Sequence, residues 1–120
     1  MESNNIIEIK SLKLVMKKED SLIVMYWEGE SDEKDPSQRL VPFFNEFIDT
    51  IDSDLKIVFN KLSYMNSSTI HPLVMFIKKL NERKINTELT YDKDSNWQAA
   101  SFKALDSLTK VLTYIKVTGT

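Results

Sequence analysis

Apolar residues in the N-terminal part of the chain recur with the period of β-strands. Ile7 and Ile9 alternate with charged residues, and the alternation resumes one position out of phase at Leu12. This change of phase predicts a bulge or a break near Ser11. The unbroken apolar run at residues 22–27 is typical of a central strand that is covered on both faces. We predict that this run and the strand before it form an antiparallel hairpin.

The segment at residues 29–38 interrupts these apolar patterns. It is acidic and contains the turn signal Asp35-Pro36. Because its charged side chains bury little apolar area to offset the entropy of ordering, we predict a mobile loop here.

Helical periodicity follows. Apolar side chains recur at helical spacing over residues 40–51 and 70–80, which predicts two helices packed on a sheet. The residues predicted to be largely buried are Phe43, Phe44, Phe47, Leu73 and Ile77. Pro42 complicates the first helix, because proline is harmless only in the first turn. Either this helix begins near Arg39, or an earlier turn from Pro36 is kinked at the proline.

The remaining apolar segments predict strands at residues 55–60, 85–91 and 111–117, with a third helix at residues 97–108. Hairpin strands followed by alternating helices and strands predict a mixed sheet, parallel where helices cross over. We therefore expect an α/β fold in a single domain over residues 1–120.

Composition excludes several classes of function. With 42% hydrophobic and 28% charged residues the chain is globular, and a net charge of -2 without a basic stripe disfavours nucleic-acid binding. No apolar run approaches the ~20 residues of a membrane span, and the N-terminus lacks a signal-peptide pattern, so we expect a cytoplasmic protein without membrane contact. With no cysteine and one histidine, we expect no metal site, no cofactor and no enzymatic activity.

Three consecutive hydroxyl residues mark the start of the second predicted helix. Ser and Thr are common there because their side chains cap unpaired backbone N–H groups. A proline costs no backbone hydrogen bond only through the third helical position, so Pro72 favours Thr69 as the N-cap. Ser67 then lies just outside the helix, with its hydroxyl free to face solvent, and Asn66 shapes the turn through its side-chain oxygen.

This segment resembles the phosphorylation loop of STAS domains, the anti-sigma-factor antagonist-like regulators of bacterial partner switching; it reads Tyr64-Met65-Asn66-Ser67-Ser68-Thr69-Ile70. The usual loop has Asp at the position of Asn66 and Gly at that of Thr69. An Asn there is closer to SiaC-type regulatory phosphoproteins. Residues 97–105 resemble a Trp-Gln-x-Lys-Ser-Leu-x-Asn-Leu segment of the same relatives, from which Ala100 and Ala104 depart.

The resemblance implies a STAS-like mixed sheet with helices mainly on one face, and a non-enzymatic switch. A serine kinase of the histidine-kinase-like ATPase type would phosphorylate Ser67, with Ser68 as the alternative acceptor, and a PP2C-like phosphatase would reverse this. The unphosphorylated form would bind either that kinase, acting as an anti-sigma factor, or an effector such as a diguanylate cyclase. The predicted partner-binding residues are Met65, Asn66, Ser67, Ser68, Thr69 and His71.

The sequence leaves alternatives open. The domain could instead bind a small ligand, a nucleotide or a lipid, which an apolar cavity would favour and a filled core would oppose. It could also be a scaffold that has lost its switch, given the departures at Thr69 and Ala100. Trp97 is favoured as a core residue over a docking residue. His71 could be an ordinary surface histidine, and the apolar residues Met65, Met75 and Phe76 could form either core or a binding patch.

Overall fold

The change of hydrophobic phase near Ser11 is a reversal of the chain. In the computed structural model, which describes residues 4–120, β1 (Asn4–Ile9) and β2 (Leu12–Glu19) form a hairpin closed by a two-residue turn. β2 also pairs antiparallel with β3 (Leu22–Ser31). The predicted N-terminal hairpin is therefore a three-stranded antiparallel unit, because the break in phase separates two strands.

Three helices connect the parallel strands that follow. In chain order the elements are α1 (Ser37–Ile48), β4 (Asp54–Met65), α2 (Ser67–Glu82), β5 (Thr87–Tyr91), α3 (Asn96–Thr109) and β6 (Ile115–Gly119). Strand order in the sheet follows the chain, and every pair from β3 onward is parallel. Since crossovers between parallel strands are right-handed almost without exception, connections between successive neighbours put all three helices on one face. This confirms the predicted α/β architecture. None of these three helices is long and apolar enough to cross a membrane.

The hydrophobic core lies between the helices and one face of the sheet. Alternate strand residues such as Met25 and Trp27 are completely buried there. The helices contribute Leu40, Phe44, Phe47, Leu73, Phe76, Ile77, Phe102 and Leu105. Phe43, which was predicted to be largely buried, is only partly buried, because it lies at the rim of α1 beside β1.

The helix α1 has the earlier of its two predicted starts, whereas Pro72 lies deeper in α2 than predicted. Pro36 is the N-cap of α1, so Pro42 lies in the second turn, as in the earlier-start alternative. Pro72 also lies in the second turn, because α2 already begins at Ser67. Each proline leaves the carbonyl four residues before it without a helical N–H partner; in α2 this is the carbonyl of the exposed Ser68.

The loop predicted at residues 29–38 is much shorter in the structure. β3 continues to Ser31 and α1 begins at Ser37, so residues 32–36 alone form the connection. Gly29 has a φ of +87°, and a Cβ there would collide with the carbonyl oxygen of Ser11. The last residues of β3 lie beyond the apolar run and are mostly polar, so the sequence did not indicate that they belong to the strand. They remain paired with β4 through β-bulges.

Two further strand boundaries differ from the prediction. β4 does not end at residue 60 but continues through Met65, because Leu62 and Met65 still face the core. The strand predicted at residues 111–117 begins only at Ile115. Val111 is 87% exposed in the turn after α3, so this apolar residue does not mark the start of a strand.

Candidate regulatory site at the start of α2

Asn66, and not Thr69, is the N-cap of α2. Its backbone is extended, and its side-chain Oδ1 accepts hydrogen bonds from the Thr69 N–H (3.1 Å) and from the Thr69 hydroxyl (2.6 Å). The prediction of Thr69 as the cap is wrong because the helix tolerates Pro72 in its second turn. For the same reason Ser67 is the first residue of the helix and does not lie outside it.

A hydrogen-bond network connects this cap to β3 and to the β3–α1 connection. Because the Thr69 hydroxyl donates to Asn66, the buried Ser31 hydroxyl donates to Thr69 over 2.7 Å. The Asn66 backbone N–H donates to the Ser31 carbonyl (2.9 Å), and Asn66 Nδ2 donates to the Glu33 carbonyl (2.8 Å). The residue that precedes Ser67 is thereby held from two sides, which fixes the position of the first turn of α2.

Ser67 and Ser68 present their side chains at the surface. Both are exposed, and neither is needed to cap the helix, because Asn66 and Thr69 make the capping contacts. The first N–H groups of a helix have no intrahelical acceptor and carry the positive end of the macrodipole, so an anion is well tolerated there. The first turn of α2 contains no acidic residue that would oppose it. The chemistry available at this position is therefore modification of a free hydroxyl by an anionic group.

The other predicted partner-binding residues divide into buried and exposed ones. Met65 and Thr69 are only 9% and 0% exposed, so a docked partner would not reach them; both face inward from the ends of their elements. His71 is exposed on α2. Of the remaining apolar candidates, Met75 is 38% exposed whereas Phe76 belongs to the core. Fewer residues are thus accessible to a partner than the sequence predicted.

The sequence analysis missed three residues of this site. Tyr64 is 48% exposed at the end of β4, two residues before the cap. Strict alternation from Leu62 would place Tyr64 in the core, but a β-bulge between Leu62 and Tyr64 turns it outward. Ser31 and Glu33 contact the cap from β3 and from the connection that follows it. No local pattern signals these two, since their partners lie more than thirty residues away in the chain.

The second segment that resembled the regulators packs into the core. Trp97 is partly buried against the core, in line with the favoured core role, and Gln98 is 1% exposed. Gln98 Nε2 donates to the carbonyls of Phe59 and Leu62, both at 2.8 Å, and its Oε1 accepts from the Asp92 N–H at 2.8 Å. β4 extends here past its pairing with β5, so the Gln98 amide replaces the missing neighbour strand and positions α3.

The apolar contact between α1 and the first half of α2 leaves no space for a small ligand. A larger cleft of about 310 Å³ lies at the C-terminal ends of the two helices and is lined by charged side chains such as Asp49 and Arg83. The cavity lined by Pro72, Met75 and Phe76 has a volume of about 10 Å³. That is about the space one water molecule needs, whereas ligand sites typically enclose roughly 300 Å³ or more. Within residues 4–120 no group of acidic or histidine side chains could hold a metal ion. This part of the molecule offers a surface and not a pocket.

The strand order and the helices on one face define a mixed α/β sheet of the SpoIIAA-like fold. One similar solved structure is SiaC, in the crystal structure of the diguanylate cyclase SiaD in complex with its activator SiaC from Pseudomonas aeruginosa. The TM-score is 0.63 and the sequence identity is 12%, and the match covers 97% of this chain and 99% of that chain. A DUF3478-family protein from Shewanella loihica with a SpoIIAA-like fold has a TM-score of 0.57 and 12% identity, over 100% of this chain and 90% of that chain.

No protein-family model matches the sequence, and no curated protein matches it. At 12% identity the likeness to these two structures establishes the fold. The predicted resemblance to STAS domains and to SiaC is confirmed at the level of the fold.

The Asn66 network predicts a specific effect of Asn66→Asp. Aspartate keeps the cap, because its carboxylate still accepts from the Thr69 N–H, but it loses the Nδ2 donor to the Glu33 carbonyl. We expect a loss of about 1 kcal/mol in the free energy of unfolding and faster hydrogen exchange in residues 32–36. Urea unfolding and exchange followed by mass spectrometry measure both.

Asn66→Ala is the matched comparison, since it removes the cap together with the contact to Glu33. We expect it to cost more, about 2 kcal/mol or above. Wild-type stability and unchanged exchange in Asn66→Asp would show that the Nδ2 contact does not hold the β3–α1 connection.

Proposed function

We propose that this protein is a non-enzymatic regulator that binds a signalling partner around the start of α2 and is controlled by phosphorylation of Ser67, with Ser68 as the alternative acceptor. One observation carries the proposal. The Ser67 hydroxyl is exposed at a helix start whose capping contacts are made entirely by Asn66 and Thr69. The Ser67 hydroxyl makes no capping contact, and it lies at the N-terminus of α2, where a helix stabilises negative charge.

Phosphorylation at this position changes the surface without changing the fold. A phosphoryl group adds about -1.5 to -2 charges and three strong acceptor oxygens at one point. The N–H groups of the first turn of α2 stabilise this charge, and the buried Ser31–Thr69–Asn66 network is not displaced, since Ser67 takes no part in it. A partner shaped for the unmodified surface then meets bulk and charge that it cannot pair, so binding is switched off.

The proposed kinase, phosphatase and regulated target are based on the resemblance to STAS domains. We propose a serine kinase of the histidine-kinase-like ATPase type and a PP2C-like phosphatase as the enzymes that act on Ser67. For the regulated target, the likeness to SiaC, the activator of SiaD, favours a diguanylate cyclase. A kinase that is itself an anti-sigma factor is the second candidate. The exposed residues proposed to contact the target are Ser67, Ser68 and His71, with Asn66 at their edge.

Variants of Ser67 test the proposal. Ser67→Ala should fold normally, because no cap is lost, and should bind the target permanently. Ser67→Asp should fold but bind about tenfold more weakly, an incomplete effect because one carboxylate carries less charge than phosphate. The target is first isolated from the native host with the wild-type protein, and affinities are then measured by calorimetry. Candidate kinases and cyclases are distinguished at the isolation step.

Ser21→Asp is the matched control, because Ser21 is also exposed but lies in the turn between β2 and β3. It should bind as the wild type does. Equal affinity of Ser67→Asp and the wild type, with both proteins folded, would refute the proposed switch, and so would a loss of binding by Ser67→Ala.

A further inference from the structure

β1 forms an edge of the sheet, with β2 as its neighbour on one side and no strand of residues 4–120 on the other. Open edges are usually protected by Lys, Pro or bulges. β1 contains neither Lys nor Pro and has one charge, Glu8. Its Ile6 is 55% exposed. The opposite edge, β6, carries Lys116 and is followed by Thr120, which hydrogen-bonds back to β5. Among the described residues, β1 is therefore the edge without such protection.

The turn between β1 and β2 determines which backbone groups of β1 point outward. Ile9 and Leu12 flank the two-residue turn directly, so they must exchange backbone hydrogen bonds with each other. The bonded pairs then alternate along the hairpin and recur at Ile7 and Asn5. The outward-pointing N–H and C=O groups consequently belong to Asn4, Ile6 and Glu8.

An apolar groove runs beside this edge. Its volume is about 320 Å³, and it lies between β1 and α1, lined among others by Ile6, Ile7, Phe43 and Phe47. Phe43 packs against the core but remains partly exposed in this groove. A strand that is added to β1 would both satisfy the outward backbone groups and cover this groove.

We propose that the added strand is β1 of a second copy of this chain, paired antiparallel about a two-fold axis through Ile6. In this register Ile6 faces Ile6 of the second copy, and Glu8 faces the uncharged Asn4. All outward-pointing backbone groups of β1 are then paired, and Ile7 of the second copy covers the groove beside Phe43. The proposal does not depend on the function proposed for Ser67.

The sequence of β1 is self-complementary in this register, which favours a second copy as the partner. A two-fold axis at Glu8 would place two like charges opposite each other. An axis at Ile7 would oppose Glu8 to Ile6 and leave the outward backbone groups of Asn4 outside the paired strands. Only the axis at Ile6 avoids charge repulsion and uses every outward group of β1, as an isologous interface requires.

Sedimentation equilibrium of the full chain tests this dimer. The wild type should show a concentration-dependent dimer. Ile6→Lys and Ile6→Glu should each raise the dimer dissociation constant about tenfold or more, since like charges then meet at the axis. An equal mixture of the two variants should form heterodimers, because Lys then faces Glu. Val111→Lys, which changes an exposed apolar residue outside β1, is the control and should behave as the wild type.

Circular dichroism should show unchanged folding, because Ile6 is exposed in the single chain. A wild type that stays monomeric up to its highest soluble concentration would overturn the proposal. So would a dimer that Ile6→Lys leaves intact or tightens, which is the result expected if Ile6 faced Glu8. Failure of the two charged variants to associate in the mixture would rule out the axis at Ile6.

Discussion

Replacing Phe44 with Ala is expected to lower the free energy of unfolding by about 3–5 kcal/mol. Phe44 is 2% exposed, its ring stacks on Phe76 at 4.2 Å between centroids, and it lies 6.3 Å from the Trp27 ring. Removing it leaves a cavity where α1, α2 and the sheet meet. The neighbouring aromatic rings belong to different elements, so they cannot close the cavity without moving apart from other partners.

Phe43→Ala is the matched control, because the adjacent residue has the same side chain on the same helix but is only partly buried. We expect it to cost about 1–2 kcal/mol. Urea denaturation of both variants measures the difference, and thermal denaturation should show a decrease of roughly 10–20 °C in the midpoint for Phe44→Ala. Equal costs for the two variants would mean that the buried side of α1 is assigned incorrectly.

Replacing Gln98 with Leu is expected to lower the free energy of unfolding by about 2–5 kcal/mol, although the two side chains are similar in size. Leucine cannot donate to the carbonyls of Phe59 and Leu62 or accept from the Asp92 N–H. Three backbone groups then lose their partner at a position that is 1% exposed. Each unsatisfied buried group costs about 1–3 kcal/mol, partly recovered if water enters.

The other glutamine of the chain provides the control. Gln38 is exposed in α1, so Gln38→Leu should change the free energy of unfolding by less than about 0.5 kcal/mol. Urea denaturation again measures both variants. A small cost for Gln98→Leu would show that the end of β4 does not need the Gln98 amide, and that α3 is positioned by its apolar contacts alone.

The parts of the fold that the sequence predicted are those in which apolar periodicity records burial directly. The stripes that contain Phe44 and Leu73 identified the inner sides of α1 and α2, because a helix must cover its apolar side. Periodicity was less informative at the N-terminal end, where a two-residue turn and a bulge produce the same change of phase. It also failed at Phe43, whose exposure depends on the absence of a strand beyond β1 among residues 4–120.

The start of α2 was located by sequence, but its internal roles were not. Ser67 is exposed as predicted, although it is the first residue of the helix and does not lie outside it, whereas the cap is Asn66 and the hydroxyl of Thr69 is buried against Ser31. The error came from assuming that a proline fixes where a helix begins. A helix start is instead decided by the total of its contacts, which here include Glu33, and such distant contacts leave no periodic signal.

The most direct test of the regulatory account is to locate phosphate on the protein purified from its native host, by mass spectrometry of its peptides. We expect a single phosphoryl group on Ser67, or on Ser68 as the alternative acceptor, and none on Thr69, whose hydroxyl is buried. Treatment with a PP2C-like phosphatase should remove it. Phosphate found only at other residues, or none on Ser67 and Ser68 under any growth condition, would contradict the account.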